Sequence, residues 1–334
     1  MGMTLSHETA ARYWMAYGSP RLRGAHASND ACARDDMPPT ARDAAIARAA
    51  MPFVGKERVH FLVHGGACKR LLKGGVCHCA TDAIALETAV DLDGWPQLSV
   101  VTPEVSFVQM STELSRIDHI RYGSLLCGLF ALDPFCKPGE NRLVKRGPLT
   151  SIERMQGVIA SLPHMKGKRE AAANVRYLVE RARSPMEIDA ALHLGLPRPF
   201  GGSGLHAPQL NQRIALDTPV EVVDAFGRAR TLASYECDLV WRMPGRTVIV
   251  EYQGEFEHSG EANIHRDSLK LNALAAQHVR VFTLTKAQFY DLTQYRHFAD
   301  ALRSALEIRD RTRLTDYDKR QRKLHQQLSR PLAF

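Results

Sequence analysis

Two short β-rich runs in the second half of the chain each carry one carboxylate where an apolar side chain would be expected: Tyr235 to Trp241 holds Asp238, and Thr247 to Tyr252 holds Glu251. The β-branched residues of the second run argue for a buried strand, and an ionised Glu251 inside it is costly unless something compensates the charge. A divalent cation shared by Asp238 and Glu251, from neighbouring strands, would stabilise both. These two positions therefore constrain the second half of the chain more than any other feature.

The chain has 334 residues, 45% of them hydrophobic, which is enough for two globular domains. Lys and Arg number 44 against 36 Asp and Glu, a net charge of +8 that favours a polyanionic partner. Its longest apolar run, Ser124 to Leu132, is far too short to cross a bilayer, and no signal-peptide pattern opens the chain. We therefore expect a cytoplasmic protein with no membrane association. Seven cysteines, an odd number, do not form a secreted disulfide framework, and most are expected to be reduced core residues.

Residues 1–40 read as a helix, Ser6 to Tyr17, followed by a loop or linker from Gly18 to Thr40. Residues 41–140 read as a small α+β domain, with strands at Val59 to Val63 and Leu98 to Thr102, Gly-rich turns at Gly65–Gly66 and Gly74–Gly75, and helices over Phe107 to Leu114 and Ile117 to Phe130. Residues 141–183 form a basic connector with helices at Ser151 to Ala160 and Arg169 to Arg181. Between Arg142 and Arg183 it carries ten Lys or Arg against three Glu, either a phosphate-tracking surface or an ordinary solvated face.

Ser184-Pro185-Met186-Glu187 then opens a new helix, with Ser at the N-cap, Pro in the first turn and Glu three residues after the cap. Extended segments follow at Gln212 to Ala215 and Val220 to Val223, then the two carboxylate-bearing strands, a helix from about Glu261 to Gln277, and a strand from Val279 to Leu284. Thr285 and Gln288 form a second capping box. The order helix, three strands, helix, strand makes residues 184–310 an α/β domain in a chain that is α+β overall. Residues 311–334 read as a solvated basic helix or tail.

In residues 184–292 the motifs Ser-Pro-Met-Glu187, Cys-Asp238-Leu, Val-Glu251-Tyr-Gln253, His258, His-Arg266-Asp267 and Asn272-Ala-Leu occur in order. This stretch resembles the PD-(D/E)xK nuclease superfamily, in the version found in very-short-patch-repair-like endonuclease domains. The resemblance implies a restriction-endonuclease-like αβββαβ core, hydrolysis of DNA phosphodiester bonds, and Mg²⁺ or Mn²⁺ held by Asp238 and Glu251 with help from Glu187. The position often occupied by Lys in that superfamily is Gln253, so Lys270 or Arg266 on the next helix would supply the missing cation. His258 would be a proton shuttle or ligand.

Other assignments compete at each position. Glu187 sits where a capping-box carboxylate bonds back to the helix start. Asp238 could cap a turn or pair with Arg242, Glu251 could form a buried ion pair with Arg280 or Lys270, and His258 could lie on the surface. His64, Cys68, Cys77, His78 and Cys79 invite a zinc reading, but their spacings lack paired two-residue knuckles, and core or surface thiols are preferred. Residues 59–130, with Val-His-Phe-Leu-Val and Val-Val-Thr-Pro-Glu-Val-Ser-Phe-Val-Gln-Met, loosely resemble the central region of type IV abortive-infection antitoxins, which suggests a defence or mobile-element setting. The functional expectations are a metal-dependent endonuclease acting on DNA, a non-catalytic DNA-binding regulator on the same fold and, third, a zinc-organised interaction protein.

Overall fold

The computed structural model describes residues 2–18, 38–64, 72–80, 88–136, 142–223, 229–254, 261–309 and 314–332, with the side chains of 64, 80, 222–223 and 261–267 outside the description. Most of the expected Gly18 to Thr40 loop, the Gly65–Gly66 turn and Cys68 fall outside it. The chain divides into one unit that runs to Leu178 and takes in Leu332, and a second unit, Val179–Pro331. Both are mixed α/β, with sheets that combine parallel and antiparallel pairs.

The first unit is built on Met3–Leu5 (β1), Val59–His64 (β2), Gly75–Ala80 (β3), Ala89–Leu92 (β4) and Trp95–Val101 (β5), in the order β3-β2-β1-β5-β4. Three residues make a weak strand, yet β1 is central because all three are buried and both its edges are paired. His7–Ala16 (α1) buries Tyr13 and Trp14, whose indole N–H donates to Val101 O at 2.8 Å. Ala41–Ala50 (α2) starts at a Thr40–Asp43 capping box. Pro103–Met110 (α3) is buried along its whole length, and Arg116–Leu126 (α4) leads into a two-stranded ribbon of Phe130–Leu132 (β6) and Leu143–Lys145 (β7).

From the basic stretch come Ile152–Ser161 (α5) and Lys168–Asn174 (α6), which pack on α3 within the first unit. The helix expected to reach Arg181 stops earlier. A single 3₁₀ turn, Val175–Tyr177, follows α6, and Arg181 adopts a left-handed φ of 65°. Asn174 is held there by two partners: its Nδ2 donates to His119 Nδ1 at 3.0 Å, and its Oδ1 accepts from Arg116 Nε at 2.8 Å.

The second unit starts with Pro185–Gly195 (α7) and a sheet of Gln209–Val223 (β8), Ala229–Met243 (β9), Arg246–Gln253 (β10) and Arg280–Thr285 (β11), ordered β11-β10-β9-β8. The first three strands form an antiparallel meander. β11 joins parallel to β10 after the crossover helix Glu261–Ala276 (α8). The two extended segments expected before Tyr235 are parts of the one strand β8, with a register shift between Ala215 and Val220 where Pro219 interrupts the ladder. Leu216, Tyr235, Cys237, Val240, Ile249 and Leu274 form the core under α8.

Lys286–Tyr290 (α9) begins at the Thr285–Gln288 capping box, and Leu292–Ala305 (α10) follows. Of the expected solvated helix or tail, the structure forms a helix, Tyr317–Leu328 (α11), but an amphipathic one with a buried face. It buries Gln321, Leu324, His325 and Leu328 at i, i+3, i+4 and i+7 and leaves Lys319, Arg322 and Lys323 exposed. Among the described residues no helix is long and apolar enough to cross a membrane.

His119 illustrates how the first unit's core depends on protonation. It is fully buried, stacked on Phe107 at 4.0 Å, and its Nε2 bonds Phe107 O at 2.7 Å while Nδ1 takes the Asn174 amide. Burial lowers its pKa to about 4, partly offset by the Phe107 carbonyl. Below pH 6.5 the unfolded imidazole binds a proton that the folded one refuses, so this stability is intact above pH 6.5 and lost as pH falls toward 4. The loss should approach about 3 kcal/mol. Urea unfolding at pH 7.5 and 4.5 should show it, and His119→Gln should remove that part of the pH dependence.

Candidate active site

The β9–β10 ladder runs as far as the pair Val250–Leu239. One step further Glu251 would face Asp238. At that point a side chain replaces the backbone, because the Asp238 carboxylate accepts the Tyr252 N–H at 2.8 Å. Glu251 lies two residues beyond Ile249 and shares its strand face, which belongs to the core that Leu274 of α8 closes. Lys270, one turn before Leu274, reaches back from α8. Its Nζ stands 2.8 Å from Glu251 Oε2 and donates to Glu236 O at 2.7 Å.

The electrostatics of this cluster are those of too many negative charges for one lysine. Burial raises the Asp238 pKa, the Glu251 and Glu187 charges raise it further, and it reaches about 7 despite the Tyr252 N–H and Lys270. Burial alone would lower Lys270, but the Glu251 carboxylate more than offsets it and the ammonium is held above its ordinary value. The Cys237 thiol is pushed up to about 12, by burial first, so it remains protonated and is no nucleophile at neutral pH.

Glu251 Oε1 is buried without a well-aligned hydrogen bond, although the Cys237 thiol interacts with this carboxylate, and a second carboxylate stands beside it. Oxygen donors with surplus negative charge suit a hard divalent cation, which commonly keeps several waters and needs only one or two protein carboxylates. Asp238 and Glu251 fit that role. Among the described residues no three His, Cys, Asp or Glu side chains form a fuller ligand group.

Glu187 approaches the pair as a charge, while its oxygens are committed to the start of α7. Oε1 accepts from Ser184 Oγ at 2.9 Å, and Oε2 accepts from the Arg183 N–H at 2.9 Å and from Asn211 Nδ2 at 2.5 Å. Burial raises its pKa, and these hydrogen bonds pull in the opposite direction. The expected third metal ligand is thus, in this arrangement, the capping carboxylate of its own helix.

Asn211 was not foreseen as a site residue. It sits in β8 across from Asp238, between the pairs Leu210–Leu239 and Gln212–Cys237, with φ +50°, and it is 3% exposed. Its amide ties Glu187 to the carbonyl of Arg181, at 2.9 Å, itself a left-handed residue. Two non-glycine residues in that conformation, joined by one hydrogen bond at the edge of the carboxylates, concentrate strain at the site. Its sequence signal is faint: Asn tolerates left-handed backbone, and it interrupts an otherwise ordinary strand.

The remaining expectations separate clearly. Gln253 ends β10 on the face of Glu251, half-buried, opposite Thr285. Arg242 bonds Gln209 Oε1 and Arg213 O, leaving Asp238 to Tyr252. Of the two cations considered for Glu251, Lys270 makes the ion pair and Arg280 is exposed on β11. Arg266 belongs to α8 with its side chain outside the described residues, as is all of His258. Arg183 pairs with Glu236, placing a half-exposed guanidinium beside the Lys270 carbonyl anchor.

No family model, curated protein or solved structure matches the chain.

Asn211 gives a direct test of the strained support. Asn211→Ala should destabilise the second unit by about 3 kcal/mol, through two lost side-chain hydrogen bonds and the loss of asparagine's tolerance for left-handed backbone. Asn211→Gly loses the same bonds but keeps the backbone freedom, so urea unfolding should find it about 1 kcal/mol less damaging than alanine.

Proposed function

We propose that the second unit is a metal-dependent endonuclease domain of the PD-(D/E)xK type that hydrolyses DNA, with Asp238 and Glu251 as the Mg²⁺ or Mn²⁺ ligands. The observation that carries this reading is the pair of neighbouring carboxylates, one with a buried oxygen that makes no well-aligned hydrogen bond, beside an ammonium delivered from α8. The αβββαβ order of elements supports it. A bound divalent ion would supply Lewis acidity and a water that ionises near neutral pH.

The chain's own residues have separable parts in this scheme. Asp238 and Glu251 hold the ion, and the Tyr252 N–H fixes the Asp238 carboxylate in place. Lys270 is kept charged by Glu251 and stands where Gln253 cannot serve, offering an ammonium to the negative charge that builds on the phosphate. Glu187 fixes the helix start and Asn211 beside them. Phosphate contacts are assigned mainly to the basic connector 141–183 and the basic C-terminal stretch 311–334, so DNA binding should weaken steeply with salt.

A second reading, a DNA-binding regulator without cleavage, draws on Gln253 and on the clamping of Lys270 between Glu251 and the Glu236 carbonyl. A supercoiled plasmid incubated with Mg²⁺ or Mn²⁺ separates the two. The intact chain should nick it, and Asp238→Ala and Lys270→Met should each lower the rate about 100-fold or more; DNA binding with no nicking by the intact chain would establish the regulator. The pH profile adds a signed expectation. Because burial and the neighbouring carboxylates raise the Asp238 pKa, protons compete with the metal for the site, so the Mg²⁺ needed for half-maximal nicking should fall as pH rises from 6 to 8.

A further inference from the structure

Three histidines that play no part in the proposed cleavage meet in the first unit. His60 on β2 and His78 on β3 share one face of the sheet, and Cys77 and Cys79, by strand alternation, share the other with Phe61. His7, the first residue of α1, closes over that face. Its ring stacks on His78 with centroids 3.5 Å apart, and the His60 ring lies 5.0 Å from His78 and 6.4 Å from His7. His7 is held there in a left-handed backbone, φ +46°, by its N–H on Gln109 Oε1 at 2.9 Å. A histidine forced into that conformation marks a position whose side chain matters.

We propose that His60, His78 and His7 form a binding site for a zinc-class divalent transition metal, closed when the His7 ring turns out of its stack on His78. His60 Nδ1 and His78 Nε2 already stand 3.1 Å apart, sharing a hydrogen bond that the metal would replace. Two imidazole nitrogens each 2.0–2.1 Å from a tetrahedral zinc are separated by about 3.3 Å, so this pair has the bite the metal needs. On the far side of His60, Glu8 Oε2 lies 4.0 Å from Nε2. That distance is beyond a hydrogen bond, but the negative charge favours a proton on Nε2 and so a lone pair on Nδ1 facing the proposed ion.

His7 Nδ1 rests on Ser6 Oγ at 3.1 Å, which leaves Nε2 as its ligand atom. Burial first, and then the neighbouring rings, lower His7 to about 2 and His78 to about 4, so both are neutral at pH 7, and His78 needs only to shift its proton from Nε2 to Nδ1 to offer the metal a lone pair. Among the described residues no three ligand groups are already converged, and the third ligand arrives only with the ring rotation. Lys166, close enough to lower both His7 and His78, opposes a cation there. This site is distinct in ligands, metal class and unit from the carboxylates of the second unit.

Tag-free full chain, stripped with a chelator, is titrated with Co²⁺ and Zn²⁺. One equivalent should bind, with the visible absorption of four-coordinate cobalt. His60→Gln and His78→Gln should each weaken binding at least tenfold, Lys166→Gln should tighten it, and Asp238→Ala should leave it unchanged. X-ray absorption of the zinc-loaded intact chain, which needs no variant to fold, should count three histidine nitrogens. Absence of the equivalent, its persistence in the His60→Gln/His78→Gln double variant, its loss in Asp238→Ala, or fewer than three histidine nitrogens overturns the proposal.

Discussion

The second unit is organised around the enclosure of Asp238, Glu251 and Glu187 with Lys270 as the ammonium that meets them. Like charges brought out of water repel strongly, and a fold keeps them together only where each is hydrogen-bonded, paired or awaiting a cation. All three conditions are present. Glu187 is satisfied by hydrogen bonds, Glu251 is paired through one oxygen and lacks a well-aligned bond at the other, and Asp238 holds a strand N–H while burial and its neighbours raise its pKa. This uneven treatment separates a structural carboxylate from two that have capacity left.

Around that cluster the fold accepts local cost. Asn211 and Arg181 adopt backbone conformations that non-glycine residues avoid, and the amide that links them also delivers the hydrogen bond that stabilises Glu187. Rigid surroundings make this tolerable: Cys237, Val240, Ile249 and Leu274 are all buried to the last few ångströms of surface, so the strands on which the carboxylates ride have little freedom to shift.

Much of the second unit was legible in the sequence because its signals are local. The Ser184 and Thr285 caps, the β-branched runs with Asp238 and Glu251, and the helix bearing Lys270 each announce themselves within a dozen residues. Lys270 as the partner of Glu251 was legible as one of several options, and only the packing of α8 selects it. Features that depend on distant partners were not legible. β1 is a strand only because β2 and β5 flank it, α6 ends where His119 and Arg116 hold Asn174, and Asn211 acquires its role from Glu187, 24 residues earlier. The amphipathic stripe of α11 was present at helical spacing but lay within a run whose charges suggested solvent.

The bond from the Tyr252 N–H to Asp238 has a consequence for how the strand end responds to its surroundings. A carboxylate that gains a proton becomes a weaker acceptor, and the same group anchors the last residues of β10, including Gln253. Order in that terminal segment and the ionic state of the cluster are therefore a single linked equilibrium: whatever neutralises the aspartate loosens the backbone beside it, and whatever preserves its charge tightens that strand end.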